Sequence, residues 1–214
     1  MRFILIRTTA LALLSSATFA ADMPPQLPLS QDIAVAPAGK YELEKNHASI
    51  TFKVRHMGYA DYTMRFNDFD ATLDLNPASP EKSKLNVTIK PASLDANNAK
   101  LTEHTSGKDF FDVAKHPTIT FVSTTIEKTG ANTGKVTGNL TMHGVTKPVT
   151  LDVTFNNGGE HMMFKKYDLG FSATTTIKRS EFGMDYGIPM VGDDVHAMIE
   201  VEMIQKDAAF PNKE

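Results

Sequence analysis

Alternating apolar and polar side chains are clearest over residues 134–155, GKVTGNLTMHGVTKPVTLDVTF. Apolar residues or glycine occupy every second position up to Met142, and apolar residues do so again from Val149 to Phe155. This period predicts two half-buried strands, because successive side chains of a strand point to opposite faces. The loop between them, residues 143–146, contains Gly144, which tolerates a positive φ, so the pair is predicted to be a hairpin.

Six further segments alternate in the same way and predict six more strands. They cover residues 49–56, 69–75, 85–89, 119–126, 169–177 and 195–203. Met64 and Phe66 fall on the opposite parity from Phe69, which predicts a β-bulge or bend in between. Residues 156–159, Asn-Asn-Gly-Gly, are predicted to form a turn.

Residues 97–116, called the insert below, break the strand pattern. Asn98 is predicted to cap a helix over residues 99–104, and a second short helical turn is predicted over residues 108–114. The insert carries Phe110 and Phe111, which need an apolar surface to cover.

The predicted fold class is therefore all-β, with eight antiparallel strands. Strands with one apolar face each can form a two-sheet sandwich or a closed barrel, and the alternation alone leaves both open. Closure removes the exposed strand edges that invite aggregation. An eight-stranded barrel is just wide enough to be filled by its own side chains or to hold one small ligand.

The two ends of the chain lie outside this pattern. Residues 1–20 combine Arg2 and Arg7 with a short apolar run and small residues before position 21, which predicts a secretory signal peptide rather than the alternative, a membrane anchor. Residues 21–39 contain four prolines and are predicted to be a flexible linker. The domain is expected over residues 40–206, followed by a polar tail at 207–214.

Composition excludes several classes of function. Without residues 1–20 the chain keeps 20 basic and 25 acidic side chains, a net charge of −5, which argues against nucleic acid as the main partner. The absence of cysteine excludes disulfides, thiolate metal sites and a cysteine nucleophile.

Candidate catalytic and metal sites are weakly indicated. The seven histidines show no i,i+2 or i,i+4 pair and no HExxH motif, so a metal site would have to be assembled from distant positions. A hydrolase hypothesis rests on Ser180, Asp193 and His196, but no GxSxG motif surrounds the serine. We therefore expect no metal, no cofactor and no catalysis.

The apolar inventory points instead to a ligand with an apolar body. The chain has 13 phenylalanines and 11 methionines but no tryptophan. Methionine is flexible and polarisable, so it suits irregular apolar ligands, although it also serves as ordinary core filling. Seven methionines fall near predicted strand ends and the late loop: Met57, Met64, Met142, Met184, Met190, Met198 and Met203.

Five collinear stretches resemble the YceI-like family of exported lipid-binding proteins, across roughly residues 40–206. They are ITFKVRHMGYADYTMRFNDFDATL (50–73), KDFFDVAKHPTITFVST (108–124), GNLTMHGVTKPVTLDV (138–153), LGFSATTTIKRSEFGM (169–184) and VGDDVHAMIEVEM (191–203). The chain departs from the family in two places. Glu44 and Ala48 stand where the family tends to have the Asp and Ser of Asp-x-x-His-Ser, and Met64 replaces a common glycine.

The resemblance implies a lipocalin-like eight-stranded barrel whose lumen holds a polyisoprenoid lipid, either an isoprenoid quinone or a polyprenyl phosphate. It implies a periplasmic binding or carrier protein rather than an enzyme. The ligand-binding residues expected from the family and from strand parity are Phe52, Val54, His56, Met64, Phe66, Leu73, Phe110, Phe111, Phe121, Leu140, Met142, Leu151, Phe171 and Ile199. Among these, His56 is expected to meet a polar headgroup where its strand leaves the barrel.

The resemblance also bears on partners. Family members occur beside or fused to cytochrome b561-like membrane proteins, which suggests such a partner, and a homodimer is left open. Two other functions stay open: an enzyme acting on a bound lipid or small acyl compound, and a stress-induced barrel without ligand.

Overall fold

Strands make up most of the structure. The computed structural model describes residues 28–162 and 165–206. Its strands are β1 (Gly39–His56), β2 (Ala60–Phe66), β3 (Phe69–Leu75), β4 (Lys84–Ile89), β5 (Leu94–Asp95), β6 (Ile119–Lys128), β7 (Thr133–Met142), β8 (Val145–Glu160), β9 (Tyr167–Lys178) and β10 (Val191–Gln205). One α-helix, α1 (Ala99–Ser106), lies between β5 and β6. Within the described ranges, no helix has the length and apolar character needed to cross a membrane.

These segments form a closed antiparallel barrel. The order around the barrel is β10-β9-β8-β7-β6-β4-β3-β1, and β1 pairs with β10 to close it. β2 and β3 both pair with β1 as successive halves of one strand, and β4 and β5 pair with β3 and β2 in the same way. Counted so, the barrel has eight strands. The predicted eight-stranded all-β barrel is confirmed, and the sandwich alternative is wrong.

The predicted bend between β2 and β3 is also confirmed. β2 ends at Phe66 and β3 begins at Phe69, and both side chains are buried despite their opposite parity. β1 also has a bulge where it pairs with β10. Glu44 pairs with Glu202 and the next paired residue, Ser49, with Glu200, so β1 has extra residues between these two pairs. Irregularities of this kind curve a sheet and help it close.

The β7–β8 hairpin has a tighter turn than predicted. Met142 pairs with Val145, so only His143 and Gly144 form the loop. Both have positive φ, 53° at His143 and 79° at Gly144. This is the backbone of a type I′ turn, whose twist matches that of the flanking strands.

The turn predicted at residues 156–159 is wrong. These residues belong to β8 and pair with β9, after a register shift between Phe155 and Asn157. Their glycines permit close approach rather than chain reversal: a Cβ on Gly158 would lie 3.1 Å from a side-chain carbon of Leu169, and one on Gly159 would lie 2.6 Å from a side-chain carbon of Leu29.

Only the first of the two helical segments predicted in the insert forms. Asn98 caps α1 as expected, since its Oδ1 accepts a hydrogen bond of 3.1 Å from the Leu101 backbone. The second predicted helix is wrong, because residues 108–115 form hydrogen-bonded turns. Asp112, at φ 42°, interrupts them in a left-handed conformation that an α-helix does not use.

The chain before β1 packs on the barrel. Within the predicted linker, Ser30 forms a β-bridge with Gly158, Ile33–Val35 is a 3-10 turn, and Ala36 is buried. The predicted signal peptide, the linker up to residue 27 and the tail at 207–214 lie outside the described residues.

Candidate ligand-binding lumen

The barrel encloses an apolar cavity with a volume of about 700 Å³. Its walls come from the inward rows of the strands, such as Val149, Leu151, Val153 and Phe155 on β8. Ligand sites in proteins commonly measure ~300–1,000 Å³. The lumen is therefore large enough to hold a ligand rather than being filled by side chains.

All fourteen residues predicted to bind ligand line this cavity. They are Phe52, Val54, His56, Met64, Phe66, Leu73, Phe110, Phe111, Phe121, Leu140, Met142, Leu151, Phe171 and Ile199. Most belong to strands, where parity decides which side chains face inward. That these side chains contact a ligand stays a prediction.

Phe111 anchors the insert over one end of the barrel. Its ring packs edge-on against Phe66 and Phe52, with centroid distances of 5.4 and 6.1 Å. The Phe52 and Phe66 rings stack on each other at 5.1 Å. Edge-to-face and offset arrangements of this kind are the favourable ones for aromatic pairs. The insert thus closes this end with an aromatic cluster, and we call it the insert end.

A second aromatic group surrounds Phe110. Its ring lies 5.2 Å from that of His104 and 5.5 Å from that of Tyr186, both of which line the cavity. The guanidinium of Arg179 lies over the same ring at 5.7 Å. The polar groups that line the lumen at the insert end therefore include imidazole, phenol and guanidinium, and His56 lines the cavity at the end of β1.

Arg179 is buried and mainly holds the loop before β10. It donates hydrogen bonds to the carbonyls of Gly192, Met184 and Val191, at 2.7 to 2.9 Å. Burial lowers the pKa of Arg179, while the carboxylates of Asp193 and Asp185 act in the opposite direction. A charged donor satisfied by three carbonyls fixes the loop that carries Tyr186 against the barrel.

The opposite end is lined by more polar surface. Ile33 and Ser83 reach the cavity there, together with the β6–β7 connection from Glu127 to Gly134. The side chains of this connection are polar or charged, as in Lys128, Asn132 and Thr133, whereas the insert end is lined by aromatic rings. The two mouths of the lumen are therefore chemically distinct.

The methionines divide between the lumen and the surface. Met64, Met142, Met184 and Met203 are buried and line the cavity. The other three of the seven methionines named from the sequence are exposed: Met57, Met190 and Met198. Met198 has the outward parity of β10, so its side chain cannot face the lumen.

The predicted hydrolase residues do not form a nucleophile–base relay. The Ser180 hydroxyl donates to Asp193 Oδ2 at 2.8 Å, and the Ser180 backbone donates to Oδ1 at 2.9 Å. Burial acts to raise the pKa of Asp193, but these two bonds, with nearby Lys178 and Arg179, bring it below its ordinary value. His196 instead contacts Thr176, with Nδ1 and Oγ1 2.8 Å apart, on the outer face of the barrel. A triad needs the histidine between serine and carboxylate.

Two groups of side chains in the described part of the chain bring three metal-ligating residues together. One consists of Glu44, His47 and Glu202, on the outside of the barrel, and the other of Asp112, His116 and His143, beside the insert. The second group joins histidines that lie far apart in sequence.

Arg179, Tyr186 and His104 are three lumen residues with polar groups that sequence reasoning missed as site residues. All three lie in the insert or the late loop, where no strand alternation assigns an inward face. The signal available for them was indirect: a run of aromatic, basic and glycine residues over 179–187 that the predicted barrel would have to accommodate.

A closed antiparallel barrel around an open apolar lumen places the protein in the class of eight-stranded barrels with room for one small ligand. The YceI-like domain matches residues 41–203, and the chain belongs to that family. The resemblance seen in the sequence is thereby confirmed.

Relatives and solved structures agree with this assignment. A UPF0312 protein of Pseudomonas savastanoi pv. phaseolicola is 44% identical over 151 residues, which are 70% of this chain and 78% of that protein. The Campylobacter jejuni YCEI protein is 36% identical, covering 72% of this chain and 91% of that one, with a TM-score of 0.65. A polyisoprenoid binding domain from Saccharophagus degradans shares the fold at 12% identity, with a TM-score of 0.60 over 79% of this chain and 100% of that one.

Proposed function

We propose that the protein is a binding or carrier protein that encloses a polyisoprenoid lipid in its barrel. The observation that carries this proposal is the apolar lumen of about 700 Å³. A cavity with few polar groups selects for an apolar chain rather than for a polar metabolite. The polyisoprenoid binding of the Saccharophagus degradans domain supports the choice of lipid.

The energetics favour a long chain. Each methylene group removed from water contributes about 0.8 kcal/mol, so a chain of about twenty carbons would gain about 16 kcal/mol gross. Loss of translational and rotational freedom offsets an estimated 4–15 kcal/mol of such a gain. A long alkyl or prenyl chain therefore binds well without many polar contacts, whereas a short one does not.

Isoprenoid quinones and polyprenyl phosphates are the two ligand classes that the proposal includes. In both, the chain fills the lumen and the headgroup lies at a mouth. We place the headgroup at the insert end, where His56, His104 and Tyr186 offer hydrogen-bonding groups beside the cavity. His56 is the residue proposed to contact it.

Export and location belong to the proposal as well. The signal peptide predicted at residues 1–20 would deliver the protein to the periplasm, where a lipid between membranes needs a carrier. In this role the protein performs no catalysis. A cytochrome b561-like membrane protein as partner, and a homodimer, are proposed on family resemblance alone.

Native mass spectrometry of the protein purified from cells, without detergent, tests the ligand. The expected result is a bound mass that matches a polyprenyl lipid and that organic extraction releases. An empty or side-chain-filled lumen in repeated preparations would refute the proposal. A bound small acyl compound that the protein turns over would favour the enzyme instead.

A matched pair of variants ties that ligand to the lumen. Ala197 lines the cavity on β10, and its neighbour Met198 is exposed on the outer face. Ala197→Phe should displace at least two methylene groups, about 1.6 kcal/mol or roughly tenfold in affinity. Met198→Phe adds a ring outside and should leave lipid retention unchanged. Equal retention in both variants, with circular dichroism showing both folded, would place the ligand elsewhere.

A further inference from the structure

Asp112, His116 and His143 converge at the edge of the insert. Asp112 and His116 belong to the turns after α1, and His143 forms the β7–β8 turn. One ligand atom of each lies within 4.8 Å of the other two. The two imidazole rings have a centroid distance of 4.5 Å. None of the three lines the lumen, so this cluster is separate from the lipid site.

The donor atoms of the cluster are available. Nδ1 of His143 lies 3.0 Å from the carbonyl oxygen of Phe182. A carbonyl can only accept a hydrogen bond, so Nδ1 carries the proton. In the neutral ring Nε2 therefore keeps its lone pair and can bind a metal. A metal-bound histidine typically makes this second hydrogen bond, which fixes its tautomer and orientation. Among the described residues, the Asp112 carboxylate and the His116 imidazole make no hydrogen bond or ion pair.

The backbone holds two of the three residues in left-handed conformations. φ is 42° at Asp112 and 53° at His143. A turn such as that of His143 and Gly144 prefers Asn-Gly, Asp-Gly or Gly-Gly, because those residues tolerate positive φ best. Histidine at this position costs backbone energy that an asparagine would not. Such outliers are concentrated at functional sites.

In the outer cluster of Glu44, His47 and Glu202, by contrast, the Glu44 oxygens are already used in hydrogen bonds within the protein. Both oxygens of Glu44 already accept hydrogen bonds, Oε1 from Asn46 and Oε2 from the His47 backbone. The His47 ring is 2.7 Å from Oε2 of the same carboxylate. These bonds stabilise the bulge of β1, so this cluster serves as a comparison rather than as a second site.

We propose that Asp112, His116 and His143 bind a divalent transition-metal ion of the Zn²⁺ type. Two imidazoles and one carboxylate match the donor preference of Zn²⁺ and leave a fourth position for water. The ion joins the insert to the β7–β8 turn, and through the His143–Phe182 bond to the segment before β10. It thereby stabilises the end of the barrel that Phe111 closes.

Isothermal titration of the tag-free protein with Zn²⁺ tests the site. Three variants remove one ligand each: Asp112→Asn, His116→Gln and His143→Asn. The last creates an Asn-Gly turn, which the backbone accepts. Since losing an outer-shell partner alone costs 10- to 100-fold in metal affinity, each variant should weaken Zn²⁺ binding by about 100-fold or more. His47→Gln, in the comparison cluster, should leave the affinity unchanged.

The imidazole resonances in proton–nitrogen spectra locate the ion independently. On adding Zn²⁺, the signals of His116 and His143 should shift while those of His47 and His196 stay. Binding that survives His143→Asn, or that His47→Gln abolishes, would overturn the proposal. So would a wild-type protein that binds Zn²⁺ no tighter than the three variants while all remain folded.

Discussion

Asp168 is a carboxyl group whose pKa is raised well above its ordinary value. It lies near the start of β9, and burial raises its pKa to about 6, with the charge of Glu202 adding to the effect. The Leu169 backbone donates to Asp168 Oδ1 at 2.9 Å, which opposes the rise in pKa. The folded protein therefore holds a proton here that the unfolded chain has already lost above its ordinary pKa of 3.8.

Asp168→Asn should stabilise the protein at neutral pH but not at pH 4. Between the ordinary pKa and the raised value near 6, the folded state binds more protons than the unfolded state, so stability falls as the pH rises. Asparagine keeps the acceptor for Leu169 and removes this penalty. A pKa raised from 3.8 to about 6 would correspond to about 3 kcal/mol. Solvent screening of a partly exposed group reduces this to about 1 kcal/mol.

Urea denaturation at pH 4 and pH 8 measures this difference. The gain from the substitution should appear at pH 8 and vanish at pH 4. A gain of the same size at both pH values would show that the carboxyl charge is not its cause. Asp152, exposed and paired with Lys135, offers a control whose replacement by asparagine should bring no such gain at pH 8.

At the scale of elements, Phe111 is one of the residues that hold the insert to the barrel. Phe111→Ala removes the ring that packs on Phe52 and Phe66 and should lower the free energy of unfolding by about 2 kcal/mol, since the site is only partly buried. Because the insert closes one end of the lumen, bound lipid should also exchange faster. Thermal unfolding and transfer of lipid to vesicles measure the two effects.

Tyr59 provides the control for this change. It is an aromatic residue in the β1–β2 turn and is 86% exposed. Tyr59→Ala should leave both stability and lipid exchange near the wild-type values, because little packing is lost. If Phe111→Ala exchanged lipid no faster than Tyr59→Ala, the insert end would not be the route of the ligand.

The hairpin and the glycines of β8 show what element-level patterns can and cannot decide. Alternation correctly predicted β7 and the first part of β8, because the pleat imposes it wherever one face is buried. The same sequence reasoning interpreted Gly158 and Gly159 as a turn. Glycine marks both chain reversal and close approach, and only the packing of Leu29 and Leu169 distinguishes them.

For the whole molecule, the pairing of β1 with β10 is decisive. It joins the beginning and end of the domain and leaves the long strands paired on both sides. Met198→Pro tests this closure. Met198 lies between Thr51 of β1 and Thr174 of β9, so proline there removes a ladder hydrogen bond and should cost about 3 kcal/mol or more.

Met198→Thr is the matched control, since threonine suits a strand and keeps the backbone donor. Urea unfolding followed by circular dichroism should show a near-normal midpoint for this variant and a strongly lowered one for proline. A proline variant as stable as the threonine variant would mean that β10 is a free edge, contrary to the closed barrel.

Much of the lumen was predictable because its walls are strands. Once a residue such as Leu151 or Phe171 is assigned to a strand, parity alone puts it inside or outside. Arg179 and Tyr186 were not predicted as lumen residues because loop residues follow no alternation that would assign their side chains to the inside. The convergence of Asp112, His116 and His143 was not predicted for a different reason: Asp112 and His143 are 31 positions apart in sequence, and no local pattern indicates that they meet.

By itself, the sequence determined which faces are buried, where most of the strands lie and to which family the chain belongs. These follow from local alternation and collinear motifs, and they need no knowledge of distance. Only the tertiary structure decided that the sheet closes on itself, that a volume of about 700 Å³ stays open inside it, and that Asp112, His116 and His143 converge. Each of these depends on contacts between residues far apart along the chain, which the packing of the whole barrel sets.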